Sequence, residues 1–113
     1  MPYINVNISK KLNEDDKDAL KSKLGALISI LPGKTEDVLM VGISDGYSMY
    51  FSGQKKDTAF VEVRLYKQSD FDSKSRFTKE VFKFFEEKFG IDGGSLFLCI
   101  AEYDSWGFKG NLK

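Results

Sequence analysis

Met1-Pro2-Tyr3-Ile4-Asn5-Val6-Asn7-Ile8 opens the chain. Tyr3, Asn5 and Asn7 interleave with Ile4, Val6 and Ile8, the period of two that marks a half-buried strand. The proline matters chemically. Processing usually removes a start methionine when a small residue follows, which leaves a secondary amine at the head of the strand. An ordinary α-amino group titrates at about 7.7–8.0. A free proline amine is more basic, but apolar burial and a neighbouring cation both disfavour its charged form. Such an amine is an uncharged base at neutral pH, as general acid–base catalysis requires. The plain alternative is that proline is merely tolerated at position 2. If Met1 is retained, the Pro2 nitrogen is an amide and no base.

Beyond this strand, Asn13 is a good N-cap, and Glu14, Asp15 and Asp16 suit the positive end of a helix dipole. Leu20, Leu24, Leu27, Ile28 and Leu31 recur at helical spacing and predict a core-facing stripe, which Pro32-Gly33 ends. Lys34 follows at once. Residues 38–43, Val-Leu-Met-Val-Gly-Ile, are apolar on both faces and predict a central strand. Tyr47 to Phe51 predict a short edge strand or ordered loop. In residues 59–66, Ala59, Val61, Val63 and Leu65 point one way and Phe60, Glu62, Arg64 and Tyr66 the other. Asp72 is a candidate N-cap for a second helix carrying Phe77, Val81, Phe84, Phe85 and Phe89, closed by Gly90. Ser95 to Ala101 predict the last long strand, and the tail could add a short strand to a neighbouring chain.

The order is therefore β-α-β, a connection, then β-α-β. The two halves share a layout and predict an internal duplication. The expected fold is α+β: one domain over residues 1–113, with a four-stranded mixed sheet and both helices on one face. The other face would expose Val38, Met40, Phe60, Tyr66 and Phe97 in a monomer, which favours its being covered by further subunits.

Composition narrows the chemistry. The chain has 17 Lys+Arg, 17 Asp+Glu and no histidine. Zero net charge leaves no basic footprint for nucleic acid and no polybasic segment for a membrane surface. Without histidine there is no Ser-His-Asp or Cys-His site and no histidine-liganded metal. Cys99 is the only cysteine, so a CxxC motif is absent, and its expected place is a buried strand position. No apolar run approaches the ~20 residues of a membrane span, and the expected location is cytoplasmic.

The chain resembles the tautomerase superfamily, in particular the macrophage migration inhibitory factor and D-dopachrome tautomerase group. The resemblance rests on Met1-Pro2 opening a strand, Gly33-Lys34 after the first helix, Tyr50-Phe51-Ser52-Gly53, Ala59-Phe60-Val61-Glu62-Val63, and Asp104-Ser105-Trp106. It implies a homotrimer with active sites between subunits and no cofactor. It also implies keto–enol tautomerisation of a small aromatic or apolar α-keto acid such as phenylpyruvate. Pro2 then matches the family's catalytic base, and Lys34 the lysine facing the substrate carboxylate. The alternative for Lys34 is a cation answering the helix C-terminus. Tyr66 falls where the family's backbone amide meets substrate, or is an interface aromatic. Tyr3 and Phe97 are candidate pocket walls, and Phe108 a candidate for the pocket mouth. Two departures lie in the last strand, where Phe97 and Cys99 replace the tyrosine and asparagine of better-known members. The family's paired-cysteine motif is also missing, with Thr58 and Val61 in its places. A catalytically weak trimeric binding or signalling protein is the alternative these departures suggest. An unrelated ferredoxin-like ligand-binding module is a third.

Overall fold

The computed structural model describes residues 1–113. Eight strands and two α-helices follow in order: β1 (Pro2–Ile8), α1 (Glu14–Leu27), β2 (Met40–Ser44), β3 (Tyr50–Phe51), β4 (Gln54–Lys55), β5 (Ala59–Tyr66), α2 (Phe71–Phe89), β6 (Leu96–Tyr103), β7 (Gly107–Phe108) and β8 (Asn111–Leu112). The main sheet has the order β2-β1-β5-β6. β1 and β2 are parallel, β5 and β6 are parallel, and β1 meets β5 antiparallel at the centre. Each half is thus a β-α-β crossover, and the two join along one ladder.

The alternation in the sequence becomes two faces. Ile4, Val6 and Ile8 of β1 and Ala59, Val61, Val63 and Leu65 of β5 are buried toward the helices. Leu20, Leu24 and Leu27 of α1 and Phe77, Val81, Phe85 and Phe89 of α2 cover them, and 19 apolar residues form one core. Phe85 and Phe89 meet with ring centres 5.4 Å apart. Burying such side chains contributes about 1.5–3 kcal/mol each, which is what holds two helices on this small sheet.

The helix ends follow from local chemistry. The Asn13 side chain accepts from the Asp16 backbone N–H at 2.8 Å, and the Asp16 carboxylate accepts from the Asn13 N–H, a capping box. The cap of α2 is Asp70 rather than the expected Asp72. Its Oδ2 accepts from Ser73 N–H at 2.9 Å, while Asp72 lies inside the first turn as a dipole partner. Gly90 ends α2 with φ of 69°, a left-handed conformation that glycine adopts without a Cβ clash.

Two expectations change. The apolar run 38–43 is an edge strand, not a central one: β2 lies outermost, and Val38 falls in a 3-10 turn at Glu36–Val38. Residues 50–55 form their own hairpin, closed by Ser52 and Gly53 with φ of 56° and 75°, the paired left-handed conformation of a tight hairpin turn. The tail likewise pairs with itself, β7 against β8.

The loop between β2 and β3 is tied to the start of α1 by Asp45, whose Oδ2 accepts from Leu12 N–H at 2.7 Å. That bond, with Lys17 nearby, holds the Asp45 carboxyl below its ordinary 3.8. A carboxylate with a depressed folded-state pKa contributes stability that is complete above the unfolded value and lost as pH falls through the folded one. Asp45→Asn should therefore show a flatter loss of melting temperature than wild type from about pH 5 to about pH 2.5. Parallel curves would show that the bond carries no linkage.

Candidate active site

Pro2 is buried at the first position of β1, opposite Leu65 of β5. Lys34 reaches the same corner from the turn after α1, where Gly33 takes φ of 76° and Lys34 N–H donates to Leu31 O at 3.1 Å. The Lys34 Nζ donates to the backbone carbonyl of Tyr66 at 3.3 Å. The Tyr66 N–H in turn donates to the Met1 carbonyl at 3.4 Å. Three positions far apart in sequence, at 2, 34 and 66, therefore meet at one end of the sheet.

The electrostatics of this corner disfavour positive charge. Burial, and then the charge of Lys34, lower the pKa of the Met1 amine from its ordinary α-amino value.

The remaining candidates lie elsewhere in a single chain. Tyr3 points to the other face of the sheet. There, with Met40, Arg64, Tyr103 and Trp106, it lines an open groove of about 510 Å³. Phe97 is 58% exposed, with ring centres 5.1 Å from Phe51 and 6.4 Å from Phe60. It pairs with Phe60, five residues along β5 from the partner of Pro2, which at about 3.3 Å per residue is roughly 17 Å away. Phe108 is half-buried in the tail hairpin, with Lys109 Nζ 5.3 Å from its ring centre. Cys99 is exposed on the helix-free face, not buried as its residue type suggests. Strand alternation puts it beside Glu62 there, while Leu98 and Ile100 turn to the helices.

One residue of this corner escapes the sequence reading. Glu102 pairs with Leu65, which pairs with Pro2, so the three form one row across the sheet. Glu102 accepts from Ser69 N–H at 2.6 Å and from Lys74 Nζ at 2.9 Å. Burial pushes its carboxyl up, but those two hydrogen bonds and the charges of Lys74 and Lys34 outweigh it and leave the pKa lowered. The available signal is its phase. Leu96, Leu98 and Ile100 face the helices, and an acid continues their series.

The element order, the mixed sheet and the two-helix layer recur widely among solved structures. The fold is that of macrophage migration inhibitory factor. Leishmania major MIF2 superposes with a TM-score of 0.91 at 20% identity, over 100% of this chain and 97% of that one. A macrophage migration inhibitory factor homologue from Prochlorococcus marinus gives 0.80 at 26% identity, over 97% of both chains. Pt0534 gives 0.85 at 14% identity, over 96% of this chain and 93% of that one. No family model and no curated protein matches the sequence. The macrophage migration inhibitory factor fold is thus found here at sequence identities of 14–26%.

Proposed function

We propose that the chain is a cofactor-free keto–enol tautomerase acting on small aromatic or apolar α-keto acids such as phenylpyruvate, working as a homotrimer. The observation that carries this reading is the corner of Pro2, Lys34 and the Tyr66 backbone. Once Met1 is removed, the Pro2 amine is the base that takes a proton from the carbon beside the ketone and returns one to form the tautomer. The Lys34 ammonium holds the substrate carboxylate. The Tyr66 N–H, released from the Met1 carbonyl, is a free donor for a substrate oxygen. The trimer is supported by the helix-free sheet face, where Met40 is 67% and Phe97 58% exposed. Phe97 and Cys99 of one subunit are then available to complete the corner of the next.

Pt0534 was solved inactivated by 2-oxo-3-pentynoate. That compound suits this chain as a probe. Its triple bond is conjugated to a ketone, and a neutral amine adds across it: a new N–C bond forms, the triple bond becomes a double bond, and the amine proton moves to carbon. A chain starting at Pro2 is expected to gain one reagent mass, located at Pro2 by peptide mass spectrometry, with matching loss of phenylpyruvate tautomerisation. Labelling elsewhere with Pro2 unmodified would sink the assignment. Lys34→Gln is expected to raise KM for phenylpyruvate roughly tenfold or more, since a hydrogen bond to a charged group contributes about 1.5–3 kcal/mol.

The second reading, a binding protein of the same fold with little catalysis, is favoured by Phe97, which offers no phenol donor. A chain starting at Pro2 that labels at Pro2 yet turns over no keto acid in a panel would establish it.

A further inference from the structure

We propose that Glu102 is a positioning residue for Lys34: anchored by Lys74 and the Ser69 amide, it sets how much of the Lys34 charge reaches the Pro2 amine and a bound carboxylate. The inference rests on the proposed roles of Pro2 and Lys34 and adds a third charged group behind them.

The geometry is a row. Pro2, Leu65 and Glu102 are consecutive cross-strand partners, so Glu102 lies two strand spacings, about 10 Å, from Pro2 on the same helix-facing side. Lys34 bonds the Tyr66 carbonyl between them. Glu102 is no free surface acid, as its side chain is only 16% exposed and both its oxygens are occupied. Its carboxyl stays ionised at neutral pH and senses Lys34. The charged groups that act on it come from two elements, Lys34 after α1 and Lys74 on α2, while Tyr66 and Tyr103 turn to the opposite face of the sheet. Lys67 sits over the Tyr66 ring at 5.2 Å from its centre. Arg64 and Glu62 pair with each other at 3.1 Å on the opposite face.

This arrangement has a purpose that a simple ion pair lacks. Were Glu102 free, it would pair with Lys34 and compete with the substrate carboxylate. Lys74 and the Ser69 amide hold it back, so Lys34 keeps a vacant donor while its charge is partly offset. Removing the carboxylate and removing its anchor must therefore act in opposite directions. Without Glu102 the corner is more positive, so the amine loses its proton more readily and an acid binds more tightly. Without Lys74 the corner is more negative and both effects reverse.

At about 10 Å a unit charge shifts a titration by roughly 0.3 unit in a water-like medium and about 1 unit in a protein-like one. A shift of about 0.5 unit is expected, equivalent to about threefold in an equilibrium constant. The experiment uses chains starting at Pro2. The pH dependence of Pro2 alkylation by the uncharged ynone 3-butyn-2-one, followed by peptide mass spectrometry, reads the amine directly. Glu102→Gln should move its midpoint down by about 0.5 unit and Lys74→Gln up by a similar amount. Glu102→Asp should stay near wild type, and the double variant Lys74→Gln/Glu102→Gln should return between the two. KM for phenylpyruvate should fall about threefold in Glu102→Gln and rise about threefold in Lys74→Gln. A purely structural role would move both single variants in one direction, and that result, or no movement in either, overturns the proposal. If Glu102→Gln does not fold, Lys74→Gln against wild type decides, an unchanged or lowered midpoint being the refuting result. If no variant tautomerises a keto acid, the proposed function fails while the alkylation midpoints still test Glu102.

Discussion

Retention of Met1 is expected to lower kcat/KM for phenylpyruvate by about 10²–10⁴-fold relative to the chain starting at Pro2, the range a positioned proton-transfer group contributes. Two losses coincide. The Pro2 nitrogen becomes an amide, whose lone pair is delocalised into the carbonyl and takes no proton at neutral pH. The Met1 carbonyl also takes up the Tyr66 N–H, so a substrate oxygen finds no donor there. The comparison is made between two preparations differing by one residue, each verified by intact mass. Their thermal melts should nearly coincide, because the core is the same. Equal turnover would remove Pro2 from the mechanism and point to the Met1 amine, itself made less basic by burial and by Lys34.

The second large effect is on the fold. Phe85→Ala is expected to destabilise the protein by about 3–5 kcal/mol, a substantial part of the 5–15 kcal/mol available to a domain. Phe85 is fully buried and packs edge-on against both Phe84 and Phe89, so its removal leaves a cavity that neighbouring rings cannot fill without leaving those contacts. Urea denaturation at a fixed protomer concentration would read the change as a lower midpoint at constant slope. A loss under about 1 kcal/mol would mean that the layer between α2 and the sheet collapses around the gap.

The parts of this structure that are legible in the sequence are those where one face is buried by the chain's own core. β5 spans residues 59–66 as its alternation predicts, because every second side chain there meets a helix. The apolar run at 38–43 misleads for the opposite reason. An apolar strand reports that water is unwelcome on both faces, and does not say whether a neighbouring strand sits on both edges. Asp70 and Asp72 are chemically equivalent as caps, and only the position of the Ser73 N–H selects between them. Cys99 shows that residue type is a weaker guide than phase: its place in β6 turns it to the helix-free side whatever its polarity. At the candidate site, Pro2 and Lys34 carry signals of their own. The Tyr66 carbonyl and the Glu102 carboxylate do not, since a hydrogen bond spanning 32 residues and a three-strand row exist only once the register is set.

The duplication has a last consequence, one of broken symmetry. Two β-α-β halves joined antiparallel offer two equivalent corners, the head of β1 against the end of β5 and the head of β5 against the end of β1. The second is sealed: Thr58 N–H donates to Ser9 Oγ at 2.9 Å, the Thr58 hydroxyl donates to the Ser95 carbonyl, and Ser9 N–H donates to Thr58 O at 3.0 Å. There the chain runs straight through, and a peptide nitrogen inside a chain is never an amine. A fold that repeats its architecture twice thus seals one of its two corners, and under the proposed function the trimming of a single residue would turn the other into a reagent.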